Sequence, residues 1–181
     1  MRITEPFIKI SYVLWLLDKG AQNIRISVDG TEPEHQIIAQ TLALKGFHRE
    51  PLSGSKVDWT GKFSKKEVEI IIISKPGIDI EAHFPNEKVL LAECKGEPTS
   101  SATRSGQDLR ALYTALGQLI ITANSEEESV PLNLALVLPY SIRLKEILTR
   151  TARNTRLIKL GIGLAIIDKS GKVSEITPNL S

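Results

Sequence analysis

The chain has 181 residues, 41% of them apolar, and a formal net charge of +2, which suits one medium domain with a sizeable core and is too small a charge to argue by itself for a nucleic-acid partner. Its single cysteine excludes an internal disulfide and a cysteine-built zinc site. No run reaches the roughly 20 apolar residues that a bilayer span requires.

In chain order, "TEPFIKISYVLWLLDKG" sets Phe7, Ile10, Val13, Leu14 and Leu17 at helical spacing, with Gly20 as the stop. Lys9 and Asp18 within this run, and the lack of a cleavage site, argue against a signal peptide. An intracellular, cytoplasmic protein is therefore expected. "AQNIRISVDG" reads as a short strand and turn. A second helix is expected through "EPEHQIIAQTLALKG", with Pro33 near its first turn and Gly46 at its end. "FHREPLSGSKVDWTGKFSKK" reads as irregular or edge-strand chain, and "EVEIIIIS", dense in β-branched residues, as a buried strand. Lys75-Pro76-Gly77 breaks that strand, "IDIEAHF" resumes it, "PNE" turns the chain and "KVLLAECK" returns it. That pattern predicts a β-hairpin or meander.

A long helix follows from about Arg104 to Ala123. Leu109, Leu112, Tyr113, Leu116, Leu119, Ile120 and Ala123 form its apolar stripe. "SEEES" reads as an exposed loop and "LNLALVLP" as a buried strand. A basic helix then runs to about Lys159, and "IGLAIIDKSGKVSEI" gives a last strand and a small hairpin. Between Arg143 and Lys159 lie Arg143, Lys145, Arg150, Arg153, Arg156 and Lys159 against the single acid Glu146. Such a stretch is either a solvated helix face or a surface for a phosphate backbone. This order of elements predicts a single α/β domain with a mixed central sheet covered on both faces. Residues 33–138 form its core, 1–30 a helical extension that caps the sheet or supports a dimer, and 139–181 a closing helix and hairpin.

The end of "KVLLAECKG" raises a chemical question, because an apolar strand finishes in two charges. Side chains alternate along a strand, so Glu93 and Lys95 share a face and Cys94 takes the other. Upstream, with thirteen residues intervening before Glu93, stands Asp79. If Pro85, Asn86 and Glu87 form a three-residue turn, Phe84 pairs with Lys88 and Asp79 lies opposite Glu93, with β-carbons about 5 Å apart. A two-residue turn would send the two carboxylates to opposite faces. Paired carboxylates repel unless a cation lies between them, and hard oxygen ligands suit Mg²⁺ or Mn²⁺. A divalent ion acidifies water for attack on phosphorus. Lys95 would orient that water or offset charge in the transition state, and the Cys94 carbonyl is a candidate extra ligand. A structural ion pair at a strand end is the competing reading. Glu81, two residues from Asp79, is its substitute if Asp79 is misassigned. His35 and His83 read as surface or packing residues, and the glycines at 161 and 163 carry only a weak nucleotide-loop signal because no helix follows.

The arrangement "GIDI…AECKG" resembles the signature of the PD-(D/E)xK nuclease superfamily, with Asp79, Glu93 and Lys95 as its elements and Pro76 three residues ahead of the aspartate. "YTALGQLI" is similar to the helix that follows in its excision-controlling and Mrr-like branches. The resemblance implies a restriction-endonuclease-like fold, with a core of helix, three-stranded meander, helix and strand, and a metal-dependent nuclease acting on DNA. It also implies a role for Gln118, on a helix face shared with Gln107, Thr114, Ala111 and Ala115, and for a glutamate from the first core helix, Glu34 or alternatively Glu5. Arg104 in "GEPTSSATRSGQ", with Arg143, Arg150 and Arg153, would contact the backbone, and a duplex cut on both strands implies a homodimer. A DNA-binding or complex-organising protein that keeps the fold without catalysis, and a protein-interaction module, are the alternatives.

Overall fold

The structure, a computed structural model, describes residues 2–29, 33–54, 57–97, 104–123, 132–152 and 161–176. Helix α1 (Glu5–Asp18) begins with Pro6 in its first turn, where a missing N–H is harmless. Past its end Gly20 takes φ 94°, a left-handed conformation natural to glycine. Strand β1 (Asn23–Ser27) follows, then a 3-10 turn (Pro33–His35) leading into α2 (Gln36–Leu44). Next come β2 (His48–Glu50), β3 (Gly61–Lys65), β4 (Val68–Ile73), β5 (Ile80–His83) and β6 (Val89–Cys94). The last elements are α3 (Arg104–Ala123), β7 (Leu132–Pro139), α4 (Ile142–Ala152), β8 (Ile162–Ile167) and β9 (Val173–Glu175).

All nine of these strands join one mixed sheet in the order β2-β3-β4-β1-β5-β6-β7-β8-β9. β1 runs parallel to β4 and antiparallel to β5, while β6, β7 and β8 are mutually parallel. The meander expected of "EVEIIIIS", "IDIEAHF" and "KVLLAECK" is thus interrupted, because β1 lies between β4 and β5. The isoleucines explain the insertion: Ile24 and Ile26 of β1 pair with Ile70 and Ile72 of β4 and are buried with them. The Lys75-Pro76-Gly77 break carries the chain across one strand rather than around a tight turn.

Two cores cover the two faces, so the mixed α/β architecture is as expected. Ile8, Val13 and Leu16 of α1 and Ile38 and Leu42 of α2 pack on Ile26, Ile72, Leu90 and Ala92. Leu112 and Leu119 of α3 and Leu144 and Leu148 of α4 pack on Leu91 of β6, Leu136 of β7, and Ile162 and Leu164 of β8. α1 departs from the anticipated stripe. Ile8, Tyr12 and Leu16 are buried along with Ile10 and Val13, whereas Phe7, Leu14 and Leu17 are only partly covered. A helix that is apolar around most of its circumference is one held inside the fold, so α1 caps the sheet as part of the core. Among the described residues no helix is long and apolar enough to cross a membrane.

Candidate active site

Register brings the charged residues together. β5 pairs Ile80 with Ala92 and His83 with Val89, and the Phe84 N–H donates to the Lys88 carbonyl at 3.0 Å. The paired register closes at Ile80 and Ala92, so Asp79 immediately precedes the last pair and Glu93 immediately follows it. Asp79 lies where three strand ends meet. Its carbonyl accepts the Ser27 N–H of β1 at 2.9 Å, and its Oδ2 accepts the Cys94 N–H of β6 at 2.7 Å.

The other oxygen, Oδ1, stands 2.6 Å from the Lys9 ammonium. Lys9 is buried in α1, and its Nζ also lies 3.1 Å from Glu5 Oε1 and donates to the Ser27 carbonyl at 2.9 Å. Lys9 is not among the site residues expected from sequence. The signal that could have found it is a lysine amid apolar neighbours in "FIKISYV", since a buried ammonium is costly unless paired. Glu5, one helical turn before Lys9, is therefore the glutamate that joins the cluster. Glu34 is exposed in the 3-10 turn and makes no described contact with it.

Glu93 and Lys95 project together, as alternation requires, with Lys95 Nζ 2.7 Å from Glu93 Oε1. Glu93 is 3% exposed, whereas 22% of the Lys95 side chain meets solvent. Lys95 and Glu5 thus form the rim, and Asp79, Lys9 and Glu93 the floor. Cys94 turns its thiol into the α1 core. Lys95 gives its N–H to the Val137 carbonyl of β7, so the Cys94 N–H and carbonyl point to the opposite edge, toward Asp79.

Burial governs the electrostatics. It raises the Glu93 pKa to about 7, helped by the Asp79 charge and opposed by Lys95. Asp79 is also raised by burial, against the pull of Lys9. Burial lowers Lys9, but the neighbouring Asp79 and Glu5 carboxylates outweigh it and hold Lys9 above the usual lysine range. Lys95 is likewise raised, because Glu93 outweighs its desolvation, and burial pushes the Cys94 thiol up.

No family model, curated protein or solved structure matches this chain. The site must be read from its own chemistry.

The donor set is hard oxygen. Each Asp79 oxygen accepts one hydrogen bond and keeps a further lone pair, and two buried carboxylates with raised pKa values favour added positive charge. Among the described residues no cluster of three or more His, Cys, Asp and Glu side chains could hold a metal. A cation here would rest on Asp79, Glu93, the Cys94 carbonyl and water, a set that fits Mg²⁺, which keeps several waters. Glu81 does not substitute for Asp79, because it pairs with Arg25 and His83.

Gln118 is exposed on α3 and makes no described hydrogen bond to the cluster. The face it was expected to share is altered too. Ala115 is fully buried with Leu112 and Leu119, while Tyr113, expected in the apolar stripe, is 66% exposed. Of the expected DNA contacts, Arg150 is exposed on α4. Arg104 begins α3 and Arg143 lies in α4, their side chains outside what is described, and Arg153 lies outside the described residues.

Proposed function

We propose that this chain is a metal-dependent nuclease that hydrolyses phosphodiester bonds in DNA on a restriction-endonuclease-like fold. The observation that carries the reading is the two buried carboxylates Asp79 and Glu93, each the next residue beyond the last β5–β6 pair, with Lys95 on Glu93 at the solvent rim. The order α1, β1, β5, β6, α3, β7 supports the fold, since β1, β5 and β6 are successively antiparallel and β7 runs parallel to β6. On this reading α2, β2, β3 and β4 are inserted between the first two strands of the core.

Mg²⁺ or Mn²⁺, when bound, would supply a Lewis acid for the phosphate and acidify the attacking water. Asp79, fixed by the Cys94 N–H and Lys9, and Glu93 would hold the ion with the Cys94 carbonyl. Lys95 remains protonated at neutral pH and reaches solvent, so it can donate to the water or to a phosphate oxygen as negative charge grows there. Glu5, at the rim, would help orient the cluster through Lys9. Gln118, Arg104, Arg143, Arg150 and Arg153 stay as candidate contacts to DNA, and a homodimer would supply the second site that a double-strand cut needs.

A second reading, a DNA-binding protein that keeps this fold without catalysis, is favoured by one feature. Both carboxylates already have lysine partners within 2.7 Å. Incubation with supercoiled and linear DNA in Mg²⁺ or Mn²⁺ separates the two. The nuclease reading predicts cleavage that EDTA abolishes and that Lys95→Ala lowers by at least about 100-fold. Cleavage undiminished in Lys95→Ala refutes it, and salt-sensitive DNA retardation without cleavage selects the second reading.

A further inference from the structure

Lys9 is unusual among the residues of the cluster because it is a cation with all of its hydrogens spoken for. An ammonium has three N–H donors, and three oxygens converge on this one: Asp79 Oδ1 at 2.6 Å, Ser27 O at 2.9 Å and Glu5 Oε1 at 3.1 Å. They come from three separate elements, β5's leading end, β1 and α1. The ammonium is almost wholly enclosed, at 2% residue exposure. Two carboxylates and a carbonyl around a buried positive centre are the ligand types a hard divalent ion takes.

We propose that Lys9 fills, as a built-in cation, the second of two cation seats in this cluster, so that a single divalent ion completes it. Two-metal hydrolytic sites hold their ions about 3.5–4 Å apart around shared carboxylates. Asp79 is the shared carboxylate here, with Oδ1 toward Lys9 and Oδ2 toward the Cys94 N–H of β6, the strand that carries Glu93. The ammonium pairs with Glu5 and Asp79 at the α1 side and offsets one of their two negative charges, leaving the Glu93 side for the exchangeable ion. Lys9 is thus a positioning residue: it fixes Asp79 and sets the ion count. This rests on the reading of Asp79 and Glu93 as holders of a divalent ion, and the test separates the two claims.

The experiment counts Mn²⁺ per chain by titration calorimetry in wild type and in Lys9→Met, which keeps the length and removes the charge. The expected counts are one in wild type and two in the variant, with Mn²⁺ restoring the variant's lowered melting temperature. Counts of zero and one would uphold the Lys9 seat and remove the ion from the proposed function. Equal counts in the two proteins overturn the Lys9 proposal whatever their value. A variant that stays unfolded even when refolded with Mn²⁺ overturns it as well, because a true cation seat would be refilled.

Discussion

Asp79 receives Lys9 on one carboxylate oxygen and the Cys94 N–H on the other, so both its position and its orientation are set by neighbours distant in sequence. Among the described residues the Glu93 carboxylate is held through Lys95, and its raised pKa gives a pH test. With a folded pKa of about 7 against an ordinary 4.5, Glu93 keeps its proton in the fold at pH values where the unfolded chain has released it. Its contribution to stability is present in full below about pH 4.5 and is lost as the pH rises through about 7; Asp79 acts in the same sense. Glu93→Gln cannot ionise. In EDTA, its melting temperature relative to wild type is expected to rise by on the order of 5 °C between pH 5 and pH 8. A difference that stays flat would mean that Glu93 is not held in this way. At this scale strand alternation and the length of the "PNE" turn made Asp79, Glu93 and Lys95 legible. Lys9 was not, because the value of a buried charge depends on partners that only tertiary structure supplies. The choice of Glu5 over Glu34 turned on the same contacts.

At the scale of elements, the site depends on how α1 docks against the end of β6. Ile3 and Glu97 exchange backbone and side-chain hydrogen bonds, with Glu97 N–H to Ile3 O at 2.8 Å and Ile3 N–H to Glu97 Oε2 at 3.0 Å. Between them Gly96 leaves no space: a Cβ there would lie 2.5 Å from the Glu5 nitrogen and 2.9 Å from the Thr4 carbonyl carbon. These are backbone atoms, so α1 itself would have to move. Gly96→Ala is expected to cost about 1–3 kcal/mol in urea unfolding. Gly117→Ala, with nothing within 4 Å on α3, should instead stabilise by about 0.5–1 kcal/mol. Equal effects of the two would contradict the close docking. The bounds of α3 could be read from its sequence, yet its buried stripe could not. Tyr113 and Ile120 fit the helical period, but the sheet takes Ala115 in their place, because a small side chain admits closer approach of helix to strand.

Across the whole molecule, the two cores meet the sheet on opposite faces, and β6 divides its side chains between them, Leu90 and Ala92 to one and Leu91 to the other. The α/β class followed from the succession of apolar runs and helical periods. Strand order did not, since nothing local in "NIRIS" says that it will part β4 from β5. The match of Ile24 and Ile26 with Ile70 and Ile72 on one side, and with Ala82 and Ile80 on the other, places it there. The consequence for function is that α1, β1, β5 and β6 all end at the same charged cluster. The most direct test of that cluster as an ion site is anomalous scattering from crystals grown with Mn²⁺. One peak per chain is expected, at about 2.0–2.3 Å from oxygens of both Asp79 and Glu93, with the Lys9 ammonium still on Asp79. Crystals at millimolar Mn²⁺ with no peak there, and with the Lys9–Asp79 and Lys95–Glu93 pairs intact, would contradict it.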